Sequence, residues 1–232
     1  MASSTGPDAP GRAAPERPDA RGERWWPVAL AVVVAAGLHV ALPARYRVDP
    51  PWVVPVVLFI LLAVLVVGDP GRIDRQKAWL RVATDAMIAF VTVANLVAAG
   101  LLVADILTGN KVFANNATGL LATGGVVWIT NVIAFALWYW DLDRGGAASR
   151  AHPARAPDPA FVFPEMQHSS HRPAWTPGFA DYLSLAFWTA TALSPTDVSA
   201  IRPWAKLLMM TEAAVSLVIA ALVIARAINI LQ

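Results

Sequence analysis

The sequence predicts an all-α fold, a polytopic bundle of transmembrane helices with about five spans and one re-entrant half-helix. Two observations carry this. The 232 residues are 57% apolar and only 15% charged, a balance unsuited to a water-soluble domain. The apolar residues also fall in blocks of membrane-crossing length, and helices are the spanning solution for such blocks because an open strand in lipid leaves its backbone groups unpaired. A net charge of +2 is too small a field for nucleic-acid binding, and the absence of cysteine removes disulfides, thiolate catalysis and Cys-based metal sites.

The elements follow in chain order. Residues 1–24 are rich in Pro, Gly, Ala and mixed charges without an apolar period, and read as a disordered tail. Residues 25–143 form a four-span unit. Its spans are Trp26 to Leu42, Pro51 to Gly68, a segment from near Lys77 that runs uncharged from Ala86 to Ala104, and about Gly119 to Trp140. The first is read as a retained span and not a cleaved signal peptide, because further apolar runs follow it. Trp25, Trp26, Trp52, Trp79, Trp138, Trp140 and Trp204 sit at proposed span ends, where an indole prefers the headgroup level; Trp128 and Trp188 do not.

Residues 144–178 form an extramembrane loop, in which Phe161-Val-Phe-Pro164 and Trp175 are apolar enough to dock on the membrane surface or on the protein. Residues 179–232 hold two further pieces. Pro203 to Leu231 is long enough to span. Tyr182 to Leu193 reaches only about 18 Å before Ser-Pro-Thr-Asp, so a half-penetrating helix is the favoured reading and a full tilted crossing its alternative.

Lys and Arg flanks set orientation. Arg12, Arg17, Arg21, Arg24, Arg72, Arg75, Lys77, Arg81, Arg144, Arg150, Arg155 and Arg172 fall on one side, against Arg45, Arg47 and Lys111 on the other. This places the N-terminus and the long loop in the cytoplasm. The Ala- and Arg-rich composition suggests a bacterial plasma membrane.

The run Thr189-Ala-Thr-Ala-Leu-Ser-Pro-Thr-Asp197, followed by Trp204-Ala-Lys206 and a long apolar helix, resembles the pore module of potassium channels over the fifty residues from Tyr182 to Leu231. Thr189, Thr191 and Asp197 fall in register with that family's filter motif. The filter glycines are replaced by Ser194 and Thr196 and the filter tyrosine by Pro195, so the usual potassium-selective carbonyl ladder is not expected here. Together with Phe135 to Gly146 and Phe163 to Met166, the pattern is also similar to a group of uncharacterised bacterial integral membrane proteins. The channel resemblance implies a homo-oligomer, four-fold in that family, and a monovalent cation as the permeant species.

The ion-pathway candidates are Thr191, Ser194, Thr196, Asp197, Glu212 and Ser216. A helix ending at mid-membrane points the negative end of its dipole inward, where it favours a cation, and the hydroxyls and carboxylate replace part of a hydration shell. The competing reading of Ser194 and Asp197 is an ordinary turn that satisfies its own backbone. Glu212 lies roughly 12 Å into the last span, where an uncompensated carboxylate costs on the order of 2.5 to 3.5 kcal/mol. Glu212, Ser216 and Ala220 share a small-residue face that either lines a wet path or packs on another helix.

Asp85 is expected to pair with Arg81 one turn earlier, and Asn95 and Asn131 to hydrogen-bond between helices. His168 and His171, with His152 upstream, are read as a solvated loop in preference to a metal site. No cofactor motif and no catalytic dyad is present, so an enzyme is not expected. The functional expectation is a divergent monovalent-cation channel with a filter that lacks glycine. The alternative is a non-conducting membrane scaffold or accessory subunit.

Overall fold

The computed structural model describes residues 22–73, 77–113, 116–152, 156–167, 175–191 and 197–231. It is mostly helical. The helices are α1 (Trp26–Ala41), α2 (Val53–Gly68), α3 (Ala78–Leu107), α4 (Ala117–Leu142), the short α5 (Ala147–Arg150) and α6 (Pro164–Gln167), then α7 (Phe179–Thr191) and α8 (Pro203–Leu231). Two antiparallel pairs of two-residue strands tie the connections. These are β1 (Glu23–Arg24) with β2 (Arg72–Ile73), and β3 (Phe161–Val162) with β4 (Ser199–Ala200).

Three helices, α3, α4 continued through Gly145, and α8, are long and apolar enough to cross a membrane. At 16 residues each, α1 and α2 reach about 24 Å. Local chemistry explains the helix ends. A proline occupies the first turn of α1, where its missing N–H is no loss. The Asn116 side chain caps α4 by accepting from the Gly119 N–H at 2.7 Å. Within the apolar helices, Thr92, Thr123 and Thr130 return their hydroxyl protons to the carbonyl four residues back at 2.8 Å, so these hydroxyls need no water. At the end of α4, Arg144, Gly145 and Gly146 all take positive φ, at 52°, 76° and 90°. That turn stops the helix, and its two glycines accept it without a Cβ penalty.

The chain alternates between two ends of the bundle. The β1–β2 pairing, Glu23 opposite Ile73, puts the start of α1 and the end of α2 at one end, here the loop end. Helix α4 is central, packed on α1, α3, α7 and α8. From Thr130 to Asp141 it is buried on nearly every side, whereas Leu121 and Ile129 in its first half are exposed. Helix α8 runs antiparallel to α4, since Glu212 meets Tyr139, Ser216 meets Asn131, and Gly124 lies under Val223. At the opposite end, Asp105 of α3 receives the Arg45 guanidinium, the Tyr46 hydroxyl at 2.9 Å and the Asn110 amide at 3.1 Å. Tyr46 stacks on Phe113 at 5.9 Å, and burial together with the Asp105 carboxylate raises its phenol above the ordinary tyrosine range.

Helix α7 starts at the loop end, where Phe179 packs on Trp140 at 6.3 Å. Its thirteen residues reach about 20 Å. The chain then returns to the end it left, because β4 pairs with β3 and Trp204, at the start of α8, packs on Phe161 at 6.1 Å. The described part of the loop packs on the protein, with Phe161 and Phe163 buried and Trp175 against Phe163 at 5.8 Å. Glu23, grouped by sequence with the tail, is instead a structural residue. It accepts from the Trp140 indole at 2.8 Å and the Phe179 N–H at 2.5 Å. A lone glutamate after a Pro- and Gly-rich run carries no local signal of partners more than a hundred residues away.

Candidate functional site

The inward stripe of α8 is Ala205, Glu212, Ser216, Ile219, Val223 and Ala227. Its first part is the expected face, but the third member differs. Ala220 is only partly buried, and Ile219 and Val223 continue the stripe. Successive steps of four drift by about 40° around a helix of 3.6 residues per turn, so a straight contact line inserts a step of three.

Glu212 is fully buried, 0% exposed. The Tyr139 hydroxyl of α4 donates to its Oε2, and Thr189 of α7 lies within hydrogen-bonding range of the same hydroxyl. Oε1 has no partner among the described residues. The surroundings are apolar, since Tyr139 is flanked by Phe161 at 5.1 Å and Phe135 at 6.2 Å. One turn deeper, Asn131 donates to Ser216 Oγ at 3.0 Å and accepts from Asn95 at 3.4 Å, linking α3, α4 and α8. The result is a polar ladder from α7 across α4 to α8 and α3, inside a single chain. Chemically, its one unsaturated position is the free carboxylate oxygen, an acceptor shielded from water and suited to a proton or a small monovalent cation.

The other candidates are placed differently. Thr191 is half-buried at the end of α7, and its hydroxyl donates to the Trp188 carbonyl at 2.9 Å. Asp197 is exposed on the approach to β4. Ser194 and Thr196 lie outside the described residues, as do His168 and His171. Among the described residues, no hydrogen bond joins Thr191 or Asp197 to Glu212, and no group of three potential metal ligands is present.

Two polar features escaped the sequence reading. The first concerns Asp85, expected to pair with Arg81. Arg81 instead donates to the Gly145 carbonyl at 3.0 Å, which the positive-φ turn presents to it. Asp85 lies in hydrogen-bond contact with Asp141 of α4. The second is a knot at the loop end. Asp143, fully buried, accepts the Ala160 N–H at 2.7 Å and the Phe161 N–H at 3.4 Å on Oδ1, and the Tyr182 hydroxyl at 2.6 Å on Oδ2. Arg150 donates to the Trp140 and Asp143 carbonyls at 2.7 and 2.9 Å, reaches Glu23 at 3.4 Å, and lies over the Tyr182 ring at 5.1 Å. The available signal for Tyr139 was its place in the polar-tipped run Trp138-Tyr-Trp140. That run reads equally well as a headgroup belt.

Comparison with protein-family models, with curated proteins and with solved structures finds no match.

Proposed function

We propose that the chain is a multi-pass integral membrane protein that passes a monovalent cation, with Glu212 as the site where the ion or proton pauses. In this reading α1, α2, α3, α4 and α8 are five crossings and α7 is a re-entrant half-helix. The bilayer thins locally or flanking residues snorkel to accommodate the two shorter helices. The Lys and Arg flanks place the N-terminus and the long loop in the bacterial cytoplasm.

The observation that carries the proposal is the fully buried Glu212 carboxyl with one oxygen unpaired. An intramembrane ionisable group is expensive and marks an ion or proton pathway more often than it serves packing. The inward-pointing α7 supports the same reading, since its dipole favours a cation near its C-terminal end. The path runs between α4, α7 and α8 of one protomer, because Glu212 and Ser216 face α4 and not outward. Thr191 and Asp197 flank its mouth. The four-fold assembly implied by the channel resemblance is not needed for this path.

The test is cation flux in proteoliposomes, with K⁺, Na⁺ and H⁺ gradients imposed in turn. Wild-type protein gives flux above empty vesicles, and Glu212→Gln lowers it at least tenfold with the fold retained. Asp197→Asn lowers it less. A second reading, the non-conducting scaffold, is favoured by the pairing of Asn95, Asn131 and Ser216 with one another inside the chain. Wild-type flux no higher than empty vesicles, for all three ions, selects the scaffold.

A further inference from the structure

At the loop end, the start of α1, the end of α2, the start of α3 and the end of α4 enclose a cavity of about 500 Å³. This is within the range of small-molecule sites, roughly 300 to 1,000 Å³. The cavity lies apart from Glu212 and takes no part in the proposed path. Its walls change character along its length. Val28, Leu62, Leu65 and Met87 give it an apolar side, while Lys77, Arg81, Asp69 and Asp141 give it charged groups of both signs.

The polar groups differ in how far the protein satisfies them. Lys77 is exposed at the rim and makes no side-chain ion pair among the described residues. Asp141 is only 5% exposed, and its Oδ2 has no donor among the described residues. A buried acceptor in that state is satisfied either by a proton held with Asp85, which touches the same carboxyl, or by a donor on a bound molecule. The cavity therefore offers an ammonium-type donor a carboxylate, a phosphate a lysine, and a hydrocarbon chain an apolar wall, all at the end of the bundle where the headgroup layer meets the helices.

We infer that this cavity binds a zwitterionic phospholipid of the phosphoethanolamine class, its primary ammonium on Asp141, its phosphate at Lys77 and Arg81, and the first part of an acyl chain along α1, α2 and α3. A primary ammonium donates to Oδ2. A trimethylated one has no N–H to donate, and a glycerol head carries no positive charge, so the site discriminates among lipids of equal chain length.

The experiment titrates the full-length protein in mild detergent with phosphatidylethanolamine, phosphatidylcholine and phosphatidylglycerol of identical chains, reading bound lipid by native mass spectrometry. Soluble O-phosphoethanolamine forms a fourth arm. Wild-type protein is expected to bind the ethanolamine lipid about tenfold more tightly than the choline lipid, and the soluble head alone far more weakly than the lipid. Asp141→Asn abolishes the ethanolamine preference. Lys77→Gln, at an exposed position that leaves the fold intact, weakens all three phospholipids by a similar several-fold factor. Equal binding of the ethanolamine and choline lipids overturns the proposal, as does a preference for the glycerol lipid. Retention of the preference in Asp141→Asn overturns it too, because the proton shared with Asp85 then accounts for Oδ2. Equal affinity for the soluble head removes the lipid assignment.

Discussion

Asp143 and Glu212 are both carboxylates with no exposed surface, yet their surroundings are opposites. Asp143 accepts from two backbone amides and the Tyr182 hydroxyl, and Arg144 approaches to 3.9 Å. Glu212 has the single Tyr139 hydroxyl and an empty oxygen. Burying a charge is tolerable when its lone pairs are filled and expensive when they are not. The first site therefore reads as a rivet that pins the 144–178 segment and α7 to α4. The second keeps one carboxyl oxygen that no donor among the described residues reaches.

The sharpest way to break this comparison is Asp143→Ala. It strands the Ala160 N–H and the Tyr182 hydroxyl in the interior, and a loss of about 3 to 5 kcal/mol is expected, read as a large fall in Tm by thermal unfolding in detergent. A fall of only a degree or two would show that the 144–178 segment is held by its aromatic packing alone.

Isosteric amides separate the two sites more finely. Asp143→Asn sets an NH₂ against existing donors and is expected to lose about 2 to 3 kcal/mol. Glu212→Gln keeps an acceptor for Tyr139 and the shape of the side chain, so its stability changes by less than about 1 kcal/mol in either direction. Equal losses at the two positions would mean that Glu212 is as structural as Asp143.

The seam that places Glu212 is tested by Gly124→Ala. A Cβ there would lie 2.7 Å from a Val223 methyl. Overpacking of about 1.5 kcal/mol is expected, and Val223→Ala in the same chain should restore most of it. The smallest effect is expected for Arg202→Ala, whose partner Asp158 is 85% exposed at 3.1 Å. A solvated pair of this kind contributes less than about 0.5 kcal/mol, and a larger loss would place the β3–β4 corner away from solvent.

Much of the architecture was legible without coordinates. The three long apolar helices match the predicted spans near Lys77, Gly119 and Pro203, because a run of about 20 apolar residues is a local property. Helix α7, Phe179–Thr191, overlaps the apolar piece read from Tyr182 to Leu193. Of the site, Glu212 and Ser216 were visible as polar residues out of place in an apolar run. Their partners were not. Tyr139 stood among tryptophans that suit a headgroup belt, and Asp85 had an arginine four residues away that satisfied every local rule.

By itself the sequence determined the helical class, the position of three membrane-length helices and the odd carboxylate in the last helix. Each depends on residues within a turn or two of one another, or on composition. Only the tertiary structure decided which polar groups meet. Tyr139 reaches Glu212 across 73 residues and Trp140 reaches Glu23 across 117. Such contacts follow from helix order, rotation and crossing angle, which apolar surfaces of nearly uniform composition leave unspecified until they are packed.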